Sequence, residues 1–413
     1  LPGGKAKGGF MPGLALEGFR IIECGDMVAA AYAAKLMADM GAEVIKIEDP
    51  AGGDTARQRG PFPGRMPHPE KSGLFLYLNT NKRGITLNLE DKRGQEIFQR
   101  LIAQADLLIH NYHPTRMPAL GLEYERLAQL NPGLLMTSIT PFGLSGPHKD
   151  YQASDLTLWN AGGLCYLNGG GPGSEHLPPL KPFGQQAGFQ AGVHAAVATL
   201  GALFARLSDG LGQHIDFSIQ ECLMGISEFA GIMPTYADQV VVRFTGNKAI
   251  RPLDIMECKD GWIYLCCVEE HQWQGFVDIM GNPEWAAEPL FATRLLRAEN
   301  WDALQLLLEE WVKEQSVEEL YHKAQARRIP FAPVSTMGDL LASEHLRARG
   351  FFAEITHPIA GTFTYPTAPY RFSRTPWTLR RPAPCLGQHN AEVYGSLGIS
   401  EQEQERLKHE GVI

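Results

Sequence analysis

Two hydrophobic periods alternate along the first 140 residues, and nothing else in the chain constrains its fold as strongly. Arg20–Cys24 reads as a short apolar strand, and Ala29–Met40 is Ala- and Met-rich, helical in propensity, and closed by Gly41. Ala42–Glu48 returns to period two. The cycle repeats with Ile85–Leu89, then a helix over Lys92–Ala105 with Ile97, Phe98, Leu101 and Ile102 on one face, then Asp106–Ile109. A third helix near Glu123–Leu130 leads to a strand over Leu134–Thr140. Such alternation predicts a parallel sheet covered on both faces.

The texture changes at Pro141, after which Gly, Pro, Ser and Asn are frequent up to Gly184. Ala187–Leu207 is the most apolar long stretch, but Gln190, His194 and Arg206 interrupt it. A membrane span wants about 20 mostly apolar residues, so this is expected to be a buried core helix. Another strand and helix follow from His214 to about Gly231. The expected layout is a large Rossmann-like α/β domain over residues 14–231, a linker over 232–252, and a smaller α+β insertion over 253–349. Residues 350–413 then return to the large domain. The insertion opens with a hairpin whose turn is Asp260-Gly261, and its helices include Asn300–Glu314. Ser316 and Glu319 have the spacing of a capping box.

Composition narrows the function classes. The chain of 413 residues is 44% hydrophobic and 20% charged, which are globular values. Its net charge of −9 argues against a nucleic-acid partner. Seven cysteines are scattered without a C-x-x-C pair, so neither a metal site nor a disulfide framework is indicated. Leu1–Phe10 lacks the apolar stretch of a signal peptide. A reduced, cytoplasmic protein without a membrane partner is expected.

Two familiar chemistries lack their parts. Glu48 ends the second strand where a ribose-binding acid would lie, yet Gly25 stands alone before Asp26-Met27-Val28. A pyrophosphate needs a fuller glycine turn for its backbone N–H contacts, so NAD is not supported. Gly143-Leu144-Ser145-Gly146 is one residue short of a nucleophile elbow. His110 and His113 have no carboxylate at a metal-ligand spacing, and Asn111–Met117 is left as a ligand-contacting loop after a parallel strand.

Several segments in order resemble the class III CoA-transferases, whose relatives include formyl-CoA transferase, carnitine CoA-transferase and α-methylacyl-CoA racemase. The opening is Leu16–Glu48 followed by Asp49-Pro50-Ala51-Gly52-Gly53-Asp54. Next come Asn79–Ile85, then Asn111-Tyr112-His113-Pro114 through Leu120-Gly121-Leu122. Ile139–Gly143 with Gly146-Pro147, Leu211–Asp216 and Ala383–His389 complete the series.

The resemblance implies an interlocked dimer and covalent catalysis by an aspartate at the start of the long helix. That position falls on Gly188, and no carboxylate lies between Gly184 and Leu207, so no catalytic residue is assigned. The racemases' His-Asp pair reads Ser154-Asp155 here, which disfavours racemisation. Positions where relatives meet the CoA phosphates with cations read Asp49, Glu90, Ala119 and Gln152, while Lys82 and Arg83 are expected to be solvated. The relatives' glycine-rich lid is reduced to Gly246.

Val28, Leu87, Asn111, Tyr112 and Asp155 fall at substrate- or CoA-contact positions, and Arg243, Lys248 and Arg251 are a basic cluster available for phosphates. CoA is implied as a substrate moiety, with no separate cofactor. The resemblance favours a nucleophile-free subunit paired with a homologous chain that carries the aspartate. In this family such pairing is known for CoA transfer from succinyl-CoA to (R)-benzylsuccinate. The alternatives are a self-sufficient enzyme with a displaced nucleophile (Asp155, Glu175 or Glu221) and a non-enzymatic acyl-CoA-binding scaffold.

Overall fold

The computed structural model describes residues 13–169, 176–243 and 250–413. Leu1–Phe10, Glu175, Gly246 and Lys248, all invoked above, lie outside the described residues. Contacts group the chain into two compact units: one holds residues 180–232 and 350–413 together with the chain up to 165, and the other holds 166–179 and 233–349.

Six strands build the main sheet of the first unit: β1 (Arg20–Cys24), β2 (Glu43–Glu48), β3 (Lys82–Thr86), β4 (Leu107–His110), β5 (Leu135–Thr140) and β6 (His214–Ser218). All are parallel, in the order β3-β2-β1-β4-β5-β6. The chain therefore builds outward from β1, returns to lay β4 on its other side, and builds outward again. Adjacent strand residues take opposite faces, which makes two cores. Ile22, Ile45 and Leu108 join Phe98, Leu101, Leu127 and Tyr394 in one. Ile21, Val44 and Leu107 join Ala33, Met37, Ala191 and Ala195 in the other.

The second core explains why its helices are rich in small residues. Helix Ala29–Asp39 packs closely on the long helix Gln186–Asp209, with Gly188 and Gly192 at the contact. A Cβ at Gly192 would lie 3.0 Å from the Ala29 carbonyl oxygen, so the spacing leaves no room for a side chain. The long helix is a core helix as expected, but it is only partly buried. Ala187, Ala191, Ala195 and Thr199 are buried, but Val193, Val197, Phe204 and Leu207 are exposed on its other side. It is apolar on both faces, so periodicity cannot tell which one the chain covers. By length and composition it is long and apolar enough to cross a bilayer.

β3 is an edge strand, and the end of the chain covers it. The Asn81 N–H donates to the Arg381 carbonyl (3.0 Å), His389 N–H to the Gly84 carbonyl (2.9 Å), and Asn88 N–H to the Val412 carbonyl (2.8 Å). Side chains complete the cover: Gly84 N–H donates to His389 Nδ1 (3.0 Å) and Thr86 N–H to Asn390 Oδ1 (2.9 Å). This unit also holds a hairpin, Phe352–His357 with Gly361–Pro366.

The second unit is organised by an antiparallel sheet of Leu253–Cys258, Gly261–Cys266 and Ala332–Pro333. Its core includes Met256, Ile263, Phe276, Leu304, Leu308 and Phe331. The capping box expected of Ser316 and Glu319 does not form. Asp260, in the hairpin turn, accepts from the Ser316 hydroxyl (2.9 Å) and the Val317 N–H (2.8 Å), so the turn caps the helix instead.

Lys82 corrects another expectation. It opens β3 rather than preceding it, and its side chain is fully buried. Its ammonium donates to Glu23 Oε2 (2.6 Å), the Ala31 carbonyl (2.7 Å) and Asn79 Oδ1 (2.8 Å). Burial pulls its pKa down to about 8, against the pull of Glu23. Arg83 is half-exposed between Glu43 and Glu392.

Candidate active site

β1 and β4 are neighbours whose following connections diverge, and in open parallel sheets ligands bind in the crevice outside such strand ends. Here two loops lock together at that point. Asn111 Nδ2 donates to the Asp26 carbonyl (2.7 Å), and the Asp26 N–H donates back to Asn111 Oδ1 (3.0 Å). Gly25 lies beneath with φ +122°, and a Cβ there would sit 1.8 Å from Asn111 Oδ1. Only glycine fits.

The crevice above is a space of about 340 Å³ lined by Asp26, Glu48, Asp49, Asp54, Tyr112 and Arg116, among others. Arg116 stacks on Tyr112, its guanidinium carbon 4.3 Å from the ring centre, and reaches Glu90 at 3.6 Å. Burial, and then Asp54, raise the Asp26 pKa. With Glu48 and Asp54 matched from below by Arg57 and Lys46, Asp26 and Asp49 still face the single Arg116, a poor seat for phosphates.

Beneath the crevice the charges are buried and paired. Lys46 lies 2.8 Å from both Glu23 and Asp54. Asp54 also accepts from the N–H groups of Met27 (2.8 Å) and Ala56 (2.7 Å). Arg57 forks onto Glu48 (2.7 and 2.8 Å) and reaches Glu70 (2.7 Å). Burial pushes the Glu23 carboxyl upward, but Lys46 and Lys82 outweigh it and hold the group below its ordinary value. His110 continues this floor: its Nε2 is 2.7 Å from Ser138 Oγ, which is 2.8 Å from His214 Nε2.

A larger cavity, about 840 Å³, opens at the start of the long helix. Gly184–Gln186 and Phe189 line it together with Met27, Phe62, Leu74, Tyr77, Phe363 and Tyr365. Its rings pack on one another: Tyr77 is stacked 6.5 Å from Tyr365, and Phe189 lies 6.3 Å from Tyr77. The start of the long helix has no side-chain cap of its own, since Gln185 makes none. Asp155 supplies one from helix Asp155–Ala161, its Oδ1 accepting from Ala187 N–H (2.8 Å) and Gly188 N–H (3.3 Å). Its Oδ2 lies 3.0 Å from Lys181 Nζ. Oδ1 holds the helix N–H groups while Oδ2 is buried, ion-paired and without a hydrogen bond, which suits a cap and helix-dipole partner better than a nucleophile. At Gly188 a Cβ would come 2.9 Å from Val28 Cβ, so the helix start is built for glycine.

Residues 16–390 match the family model "CoA-transferase family III". A formyl-CoA:oxalate CoA-transferase from Streptomyces avermitilis is 30% identical over 97% of this chain and 99% of its own length. A subunit of succinyl-CoA:(R)-benzylsuccinate CoA-transferase from Thauera aromatica is 33% identical, covering 96% of this chain and 97% of that one. The chain belongs to CoA-transferase family III. Family III enzymes move CoA between an acyl-CoA and a carboxylic acid, CoA arriving with the substrate and no separate cofactor being used. The beta subunit of a succinyl-CoA–L-malate CoA-transferase from Chloroflexus aurantiacus is 28% identical over 97% of this chain and 98% of its own. A crystal structure of a CaiB/BaiF family protein from Brucella suis superposes with a TM-score of 0.83 at 28% identity, over 93% of this chain and 99% of that one.

Within this family III chain the residues expected at the site are not equivalent. Asn111 and Tyr112 stand at the crevice, and Val28 and Asp155 meet at the long helix, Val28 being buried against it. Leu87 is buried in the core beneath the sheet. Arg251 belongs to the other unit and is turned inward: 8% exposed, it donates to the Leu253 carbonyl (2.7 Å) and Asp254 (3.0 Å) and lies over Trp301. Arg243 donates to the Leu177 carbonyl (2.7 Å). Arg251 is therefore removed from any exposed basic cluster.

Sequence reasoning missed Arg59, Lys71, Phe62 and the aromatic wall, because three distant segments supply them and no spacing connects those. Asp26 it passed over as a poor glycine turn.

Glu70, His357 and Cys385 bring ligand-type atoms within 4.8 Å of one another. His357 Nδ1 accepts from the N–H groups of Ile359 (3.3 Å) and Ala360 (3.1 Å), which places the ring proton on Nε2, facing Cys385 Sγ at 3.8 Å. Glu70 is held by Arg57 and by the Leu386 N–H (3.0 Å). A metal at Nε2 would need the lone pair that this tautomer lacks. The cluster instead fastens the returning segment of the chain.

Proposed function

We propose that this chain is the nucleophile-free subunit of a heteromeric family III CoA-transferase, interlocked with a homologous subunit that carries the catalytic aspartate. The observation that carries this reading is Gly188. The resemblance puts the nucleophile there, no carboxylate follows it to Leu207, and a side chain at that point meets Val28. Asp155, the nearby carboxylate, is occupied by two N–H groups and a lysine. The acidic crevice agrees with a chain that leaves the CoA phosphates to its partner. The exposed apolar face of the long helix agrees with a subunit that is covered in its assembly. Two relatives are themselves named as subunits of CoA-transferases, and the reading gives this chain a role like that of the aspartate-lacking subunit in CoA transfer to (R)-benzylsuccinate.

In the reaction, the partner's aspartate attacks the donor thioester and expels CoA thiolate. The thiolate attacks the resulting anhydride, releasing the donor acid and leaving an enzyme–CoA thioester that the acceptor carboxylate resolves. This chain supplies surrounding surface and position. Co-expression with a homologue carrying the aspartate should give a complex with the mass of both chains and transferase activity, whereas the chain alone should be inactive. Turnover by the isolated chain, free of any homologue, would refute the proposal.

A further inference from the structure

Three parallel strands set a row of hydrogen-bonding side chains on one face of the main sheet. His110 ends β4 and pairs with Ser138 on β5, while His214 opens β6 beside Met136. All three side chains therefore point the same way. Ser138 is buried and stands between the rings, 2.7 Å from His110 Nε2 and 2.8 Å from His214 Nε2. A hydroxyl has one proton to give, so the two rings cannot both receive it.

The backbone settles which one does. His110 Nδ1 accepts from the Tyr112 N–H (3.3 Å), which leaves the ring proton on Nε2, donating to Ser138 Oγ. Ser138 then donates to the bare Nε2 of His214, whose own proton sits on Nδ1. The neutral row thus runs one way, from Tyr112 through His110 and Ser138 to His214. His110 and Ser138 are sealed inside, whereas His214 is half-buried on the outer strand. Tyr124, from helix Tyr124–Leu130, stacks on the His214 ring at 5.2 Å. Burial holds the His214 pKa below its ordinary value, against the pull of Glu125 on that helix and Asp216 on its own strand.

We infer that these residues form a pH-driven relay that loosens the crevice loop when His214 takes a charge. The Ser138 proton passes to His214 Nε2, and the His110 Nε2 proton passes to Ser138 Oγ. His110 Nδ1 takes a proton from water, so the balance is one proton in and one positive charge, on His214. Without this reversal Ser138 would face two N–H donors, and its own proton would lie buried and unpartnered. With it, the bonds within the row survive in the opposite direction. The first bond does not. A new Nδ1–H meets the Tyr112 N–H, donor against donor. Tyr112 carries Arg116 on its ring, and its neighbour Asn111 locks to Asp26, so the break arrives at the crevice. The relay lies wholly within this chain and works whichever subunit carries the nucleophile.

The test is hydrogen exchange at the Tyr112 amide, read by mass spectrometry in the complex co-expressed with the homologous subunit. Should the full chain assemble with itself instead, the same amide is read in that assembly. We expect its protection, corrected for the intrinsic pH dependence of exchange, to fall about tenfold between pH 7.5 and pH 5. His214→Gln keeps a hydrogen-bonding group at the outer end but cannot take the charge, and should abolish the fall. Ser138→Ala leaves both rings free to titrate but cuts the link between them, and should abolish it too. A fall of wild-type size in either variant would overturn the inference, because acid would then loosen the loop without the relay. Unchanged protection in the wild type across that range would overturn it as well.

Discussion

The crevice at the switch point and the cavity beside it occupy the same unit, yet they use charge in opposite ways. In the crevice floor every cation is buried and bonded: Lys46 to Glu23 and Asp54, Arg57 to Glu48 and Glu70, Lys82 to Glu23. In the cavity the cations are at the rim, beside apolar walls. A buried ion pair is costly to break because the partner left behind stays charged and desolvated. An unpaired rim charge is cheap to remove and free to meet a ligand. The residues that look most chemical in the crevice thus hold the fold, while the blander-looking cavity keeps its cations unpaired among the described residues.

That contrast is sharpest at Lys46. Lys46→Met should leave Glu23 and Asp54 without their shared cation and lower stability by about 3–5 kcal/mol, read from the urea midpoint. Lys71→Met, at the cavity rim, should move the same midpoint by no more than about 0.5 kcal/mol. Similar losses from the two variants would erase the distinction.

Gly188→Asp should cost about 1–3 kcal/mol, because the long helix must move off Val28. Adding Val28→Ala should recover part of that loss, and strict additivity in the double-mutant cycle would show that the two residues do not touch. The single variant should also remain a poor enzyme without partner, since a nucleophile unsupported by positioning gains little.

Asp155 is expected to matter as a cap. Asp155→Ala should cost about 1 kcal/mol, and Asp155→Asn, which keeps an acceptor, should cost less. An intact melting curve for Asp155→Ala would mean that the helix start is satisfied some other way.

The last effect is one of pH. Burial, with His214 close by, holds the His110 pKa down to about 3, against an ordinary 6.5. The unfolded chain therefore binds a proton that the folded chain refuses. This stability is present in full above pH 6.5 and is lost as the pH falls toward 3, by at most about 1.4 kcal/mol per unit. Comparing stability at pH 7 and pH 5 in the wild type and in His110→Asn checks it: the variant should show the shallower fall.

The alternation of periods made β1, β2, β4 and β5 legible in sequence, because each is either apolar or, like β2, alternates with period two, and each is set off by a helical stretch. β3 was displaced by three residues, since it opens on Lys82 and Arg83, and charges read as surface. Nothing local in the sequence announces that Glu23, Asn79 and the Ala31 carbonyl converge on that lysine. Arg251 misled for the same reason, its partners being a turn and a tryptophan ring. At the site, Asn111 and Tyr112 were found because a loop after a parallel strand is a general place for ligands. The aromatic cavity was not, because it exists only once residues near 60, 185 and 365 meet.

The covered edge of β3 has a consequence for how the chain is made. Thr86 donates to Asn390, a residue 304 positions later. Ribosomes add about 5–20 residues per second, so roughly 15–60 s pass between the emergence of the strand and of the segment that closes it. Through that interval the nascent sheet presents an unpaired edge, so aggregation during synthesis is governed by how soon the segment near residue 390 arrives to cover it.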